Sequence, residues 1–149
     1  MPITRSGSSH SIEQWLNQRI EALNVRVVAA LNRVGLEATT VARTSHRYLD
    51  QTGNLTSSIG YVVVQDGQIA GEGSFEQVEE GAEGSSVGRR YAHEVAQEHP
   101  EGTYLIIVAG MPYALYVEAK GLNVLDAAIV HAKSEVPNKI KDALKGFVK

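Results

Sequence analysis

The chain contains no cysteine, so neither a disulfide nor a thiolate metal site can form, and a reducing compartment is compatible with it. No run of about 18 apolar residues occurs, which excludes a spanning helix on hydropathy grounds. Met1–His10 has no apolar core of the kind a secretory signal needs, so no such leader is expected. Cations do not dominate: the net charge is −3 and the pI about 5.9, and nothing global points to nucleic acid or an anionic membrane. There is no Gly-Lys-Ser/Thr phosphate loop and no Gly-x-Ser-x-Gly elbow. Gly71-Glu72-Gly73-Ser74 falls in a strand pattern and opens no helix. No internal repeat is visible.

The 149 residues suit one domain, and an apolar fraction of 43% is ordinary for a globular protein. Charge is unevenly placed. Up to Arg47 there are six arginines against three acids. Between Tyr48 and Pro100 nine acids face only Arg89 and Arg90, and beyond that six lysines face five acids. Such polarity suits head-to-tail self-association or a charged partner; a solvated acidic loop is the plainer alternative.

Residues 1–10 read as a mobile arm and 11–149 as one α+β domain. Ser11 and Gln14 have capping-box spacing. Ile12, Leu16, Ile20, Leu23, Val27, Leu31, Val34, Ala38 and Val41 then make one helical stripe, in a helix reaching about Arg47 and roughly 50 Å long. That exceeds what a domain of this size covers, so part of the stripe is expected on a sheet and part on a neighbouring subunit. Gly35 is the one weak point, where the helix has the option to break. Trp15 borders the stripe and is expected in the core.

Around Asp50–Asn54 the apolar period changes from about 3.6 to about 2, with Thr52 expected to cap a short turn through Leu55 and Ser58. Ile59–Val64 and Gln68–Phe75 then form a hairpin through Asp66-Gly67. Glycines in the second strand imply a bulge or a close backbone approach. Residues 76–88, acidic and rich in Gly and Ser, read as a flexible loop. Ser86–His99 reads as a short helix with Val87, Tyr91 and Val95 in line. Thr103–Ala109 is the most apolar strand and is expected to be central in a sheet of three to four strands. A C-terminal helix starts near Asn123, runs through Val136, Ile140 and Phe147 and is kinked or restarted at Pro137. Lysines up to Lys149 suit its C-terminal end.

Candidate chemistry is sparse. His93, Glu94, Glu98 and His99 are the residues an alternative metal-binding or hydrolytic site would use. The histidines, however, stand six apart and cannot share a helical face, and two carboxylates alone are a weak ligand set. Arg19, Arg26 and Arg33 recur every seven residues along the stripe. They suit intersubunit or phosphate contacts, or a rim whose stems cover apolar surface, and no aromatics interleave to stack bases. Ser57 and Ser58 are expected to be local backbone partners.

Two segments carry a resemblance. Asp50-Gln51-Thr52-Gly53-Asn54-Leu55-Thr56-Ser57-Ser58-Ile59 resembles a "D-x-T-G-x-L-x-x-S-I" element, and Tyr113-Ala114-Leu115-Tyr116-Val117-Glu118 a "Y-A-x-Y-V-E" element. Both occur in this order in the tail-component, or tail-completion (neck), proteins of long-tailed double-stranded DNA phages and prophages. The resemblance covers roughly Ser11–Lys149. It implies a small antiparallel sheet flanked by long N- and C-terminal helices. It also implies a non-enzymatic structural role in the virion neck or upper tail, with the host cytoplasm as the site before assembly. No cofactor is implied. The partners implied are identical subunits in a ring and connector or tail-tube proteins. Asp50, Thr52, Gly53, Leu55, Ser58 and Ile59 would specify the fold, and Tyr113, Tyr116 and Glu118 would present an interface edge; the plainer alternative puts Tyr116 and Val117 in the core with Glu118 solvated.

Overall fold

The structure, a computed structural model, describes residues 8–146; what the sequence led us to expect of residues 1–7, Phe147 and Lys149 lies outside the described residues. The fold is α+β. A first helix, α1 (Ser8–Thr44), is followed by α2 (Asn54–Ser57), strands β1 (Ile59–Gln65) and β2 (Gln68–Ser74), α3 (Ala82–Gln97), β3 (Thr103–Ala109), α4 (Ala114–Ala119) and α5 (Asp126–Leu144).

The strands form one antiparallel sheet in the order β2-β1-β3. The apolar run of β1 explains its central place. Tyr61 and Val63 pack against α1 and α5, Val62 and Val64 against Phe75 and α3, and the strand is buried on both faces. The Asp66-Gly67 turn has positive φ at both residues, 50° and 80°, as a type I′ hairpin demands. Ala70 has no partner where the β1–β2 register shifts, so the expected bulge is present. α1 and α5 cover one face, α3 the other, which makes three layers.

Several expectations are corrected. α1 begins at Ser8, so Ser8–His10 are helical and Ser11 lies inside the helix; nothing between Gly7 and Ser11 stops a helix there. Gly35 does not break α1, because it sits under Tyr61, whose ring occupies the place of a Cβ. β3 is an edge strand and β1 the centre. Apolar composition cannot tell an edge walled by helices from a centre. α3 begins at Ala82, so much of the expected flexible loop is helix. Its buried face is Gly84, Gly88, Ala92 and Ala96, not Val87, Tyr91 and Val95. Glycines read as flexibility serve close approach: a Cβ at Gly84 would strike the Asn54 carbonyl, and one at Gly88 the Ser58 backbone. α5 runs through Pro137 as one element and does not restart there.

Candidate functional site

The stretch Asp50–Ile59 is a knot of short-range bonds. Asp50 Oδ2 accepts the Thr56 N–H at 2.8 Å, and Thr52 Oγ1 accepts the Asn54 N–H at 3.3 Å, together holding the start of α2. Gly53 has φ 79°, and a Cβ there would run into the Val78 carbonyl. Leu55 and Ile59 are buried in the main core. Asn54 Oδ1 accepts the Gly84 N–H at 2.9 Å, and Ser57 Oγ accepts the Val78 N–H at 2.8 Å. Ser58 Oγ donates to the Leu55 carbonyl at 2.7 Å. Both serines therefore serve the backbone.

The second element lies beside the first. Tyr113 precedes α4, and Tyr113 and Val117 line a cavity of about 270 Å³ with Tyr48, Asp50, Thr52 and Leu55. Residues some sixty positions apart in sequence are thus brought into one junction. Leu49 at this junction is 84% exposed, and on α4 Leu115 is 81% and Tyr116 64% exposed. Lys120 Nζ lies 4.5 Å from the Tyr116 ring centre. Tyr116 fits the expected surface edge, whereas Glu118 faces inward. Its carboxylate accepts the N–H groups of Val124, Leu125 and Asp126 at 2.7, 2.6 and 2.9 Å, and so caps α5. Both of its oxygens are thus engaged within the subunit.

Two contributors were missed. Arg43, in the last turn of α1, donates through Nη1 to the Thr56 carbonyl at 2.7 Å and the Ile59 carbonyl at 3.3 Å. Its Nη2 donates to the Glu76 carbonyl at 2.8 Å. Burial lowers its pKa, with Glu76 and Tyr48 acting the other way. Tyr48 is buried, with its hydroxyl 2.9 Å from Thr56 Oγ1 and its ring stacked on His46. Burial raises its pKa, and burial likewise raises that of Tyr113. The only signal for Arg43 was a cation in a helix's last turn; backbone acceptors leave no mark in a sequence.

The three arginines of the row each make a separate contact within the subunit. Arg26 donates to the Lys145 carbonyl at 3.1 Å at the end of α5. Arg33 pairs with Glu37 at 3.5 Å, and Arg19 lies over Trp15 at 5.8 Å. Because α5 ends beside Arg26, residues 8–25 of α1 continue past it for roughly 27 Å. On that arm Ile12, Leu16 and Ile20 are exposed, and Trp15, expected in the core, is 58% exposed. The apolar ridge that packs α5 continues beyond α5's end, so period alone does not tell where the cover stops.

The residues of the alternative metal site are separated by other partners. His93 Nε2 meets Glu72 Oε2 at 2.5 Å, and the His99 ring lies tilted against that of Tyr104 while its Nδ1 is 3.1 Å from the Val95 carbonyl. Among the described residues no group of three or more His, Asp or Glu could hold a metal ion, and no helix is long and apolar enough to cross a membrane. No family model, curated protein or solved structure matches the chain.

Proposed function

We propose that this chain is a non-enzymatic structural subunit of a phage or prophage neck or upper tail, acting by self-assembly into a ring and by contact with connector or tail-tube proteins. The observation that carries the reading is the arm of α1. Ile12, Trp15, Leu16 and Ile20 are each about half exposed, on a stretch of α1 that runs past the end of α5 among the described residues. Fully burying one such side chain is worth about 1.5–3 kcal/mol, so a partner surface gains where the monomer does not. The joining of the two family-like elements in one junction, with Leu49 exposed at it, supports the same reading.

Light scattering of the purified protein, alone and with connector or tail-tube proteins added, tests it. Assembly larger than a monomer is expected in at least the second sample. It should be lost in Leu16→Glu/Ile20→Glu, both half-exposed on the arm of α1. A monomer in both samples sinks the proposal.

A further inference from the structure

Exposed apolar side chains gather at two places far apart along α1, and the charges beside them are of opposite sign. One place is the arm, with Ile12, Trp15, Leu16 and Ile20, next to the end of α5. The other is the motif junction, where Leu49 and Tyr113 are exposed and α4 presents Leu115 and Tyr116. Arg19 on the arm and Arg43 beside the junction are roughly 36 Å apart at 1.5 Å per residue.

The arm end is cationic. Arg19 and Arg26 lie on one edge of its apolar ridge, Glu13 and Glu21 on the other. Arg26 bonds the Lys145 carbonyl, so the end of α5 sits on the arginine edge and adds Lys139, Lys141 and Lys145 to it. Asp142 offsets one of these by pairing with Lys145 at 3.1 Å.

The junction end is anionic. The Glu76 carbonyl takes Arg43, and the Asn54 side chain takes the Gly84 N–H, which sets the start of α3 with Glu83 against α2. Glu79 and Glu80 precede it and are exposed. Tyr113 is raised in pKa first by burial and then by Asp50 and Glu83, so both carboxylates face its ring. Among the described residues Glu76, Glu79, Glu80 and Glu83 make no ion pair. The cations at this end are Arg43, committed to carbonyls, Lys120, lying over the Tyr116 ring, and Arg47.

Within one subunit these charges do not answer each other. Fields between exposed charges fade over about 8 Å at physiological salt, far less than the span between the ends. A contact of like ends would set cations on cations or carboxylates on carboxylates. A contact of unlike ends covers both apolar faces and opposes the charges.

We propose that the arm end of one copy docks on the motif junction of the next, apolar face to apolar face, with Arg19, Lys141 and Lys145 set against Glu79, Glu80 and Glu83. Such a head-to-tail contact is heterologous and closes a ring where the rotation permits. The inference rests on the ring reading above and names the two surfaces that would build it.

Two charge-reversed chains test it. Glu79→Lys/Glu80→Lys turns the junction end cationic, and Lys141→Glu/Lys145→Glu turns the arm end anionic; all four side chains are exposed. Glu83→Lys and Lys139→Glu stand in for whichever variant loses the parent's helical circular dichroism. Sedimentation velocity is run on each variant alone and on their equal mixture, under the conditions in which the parent assembles. Each alone should associate at least about tenfold more weakly than the parent. The mixture should recover assembly, because every junction then meets an arm end of opposite charge. Loss in the single variants with no recovery on mixing overturns the pairing of these two ends. Assembly of both variants at the parent's level also overturns it and leaves the ring reading standing. Stronger association by one variant alone than by the parent overturns it in favour of a symmetric contact of like ends. A parent that stays monomeric with connector or tail-tube proteins present overturns both.

Discussion

Glu118 Oε1 accepts the N–H of Leu125 at 2.6 Å, and the same carboxylate also serves Val124 and Asp126. A residue at the end of α4 thus supplies the cap that α5 does not carry at its own first position, while Asn123 Oδ1 accepts the Ala127 N–H at 3.1 Å. Replacing Glu118 with Ala leaves three N–H groups without their acceptor and should cost about 1–2 kcal/mol. Glu118→Gln keeps one acceptor oxygen and should cost less. Urea unfolding of both variants checks the order; equal stability to the parent would show that the cap contributes nothing.

The glycines against α2 and β1 make a second test, with opposite signs for opposite surroundings. In an open helix interior Gly→Ala gains about 1 kcal/mol. Gly88→Ala should instead destabilise, by about 1–3 kcal/mol, because its Cβ meets the Ser58 backbone, which cannot swing aside. Gly53→Val combines positive φ with the clash at Val78 and should damage folding or assembly most. Gly121→Ala, where φ is 74° and no atom lies within 4 Å, supplies the mild control. Thermal melts that rank Gly121→Ala as the worst of the three would contradict this packing.

Much of the architecture was legible because water decides it. The stripe from Leu31 to Ala42, the strand Ile59–Val64 and the Asp66-Gly67 turn all carry period or dihedral signals that follow from burial and sterics. Three features were not legible. Gly84 and Gly88 form a packing face that hydrophobicity does not register, since a missing Cβ contributes no apolar mark. β3 is apolar because helices wall its edge, a cause indistinguishable in sequence from being central. Of the junction, Asp50, Gly53 and Tyr113 were visible as pattern, yet Arg43 was not, because its partners are backbone carbonyls.

Arg43 bonds carbonyls in three places, α2, the start of β1 and the loop after β2, and so ties α1 to both sides of the junction. Arg43→Met keeps the apolar stem and removes the fork. It should cost about 1.5–3 kcal/mol, the range for hydrogen bonds to charged groups. Arg43→Lys should not restore this, since a point charge cannot reach Thr56 and Glu76 carbonyls in the same geometry. Chemical denaturation of the two variants decides it: a Lys variant as stable as the parent would mean that charge, not the planar fork, is what the site uses.

Tyr48 sets the expected alkaline behaviour. Its pKa is raised above 10.0 first by burial and also by Asp50, against lowering contributions from Thr56 and Arg43. Tyr61 and Tyr113 are raised as well, Tyr61 by burial alone. An unfolded phenol loses its proton near the ordinary value, whereas the folded one holds it, so ionisation favours the unfolded chain. The stabilisation is therefore fully present below pH 10 and is lost as pH rises from there through the raised folded values. Tyr48→Phe should cost about 1 kcal/mol at neutral pH, for the bond to Thr56. It should also flatten the alkaline fall, because one of the three proton-holding groups is gone. Urea unfolding at a series of pH values from neutral to strongly alkaline gives both numbers. A variant whose stability falls as steeply as the parent's would show that Tyr48 ionises freely in the fold, in conflict with its burial beneath the motif junction.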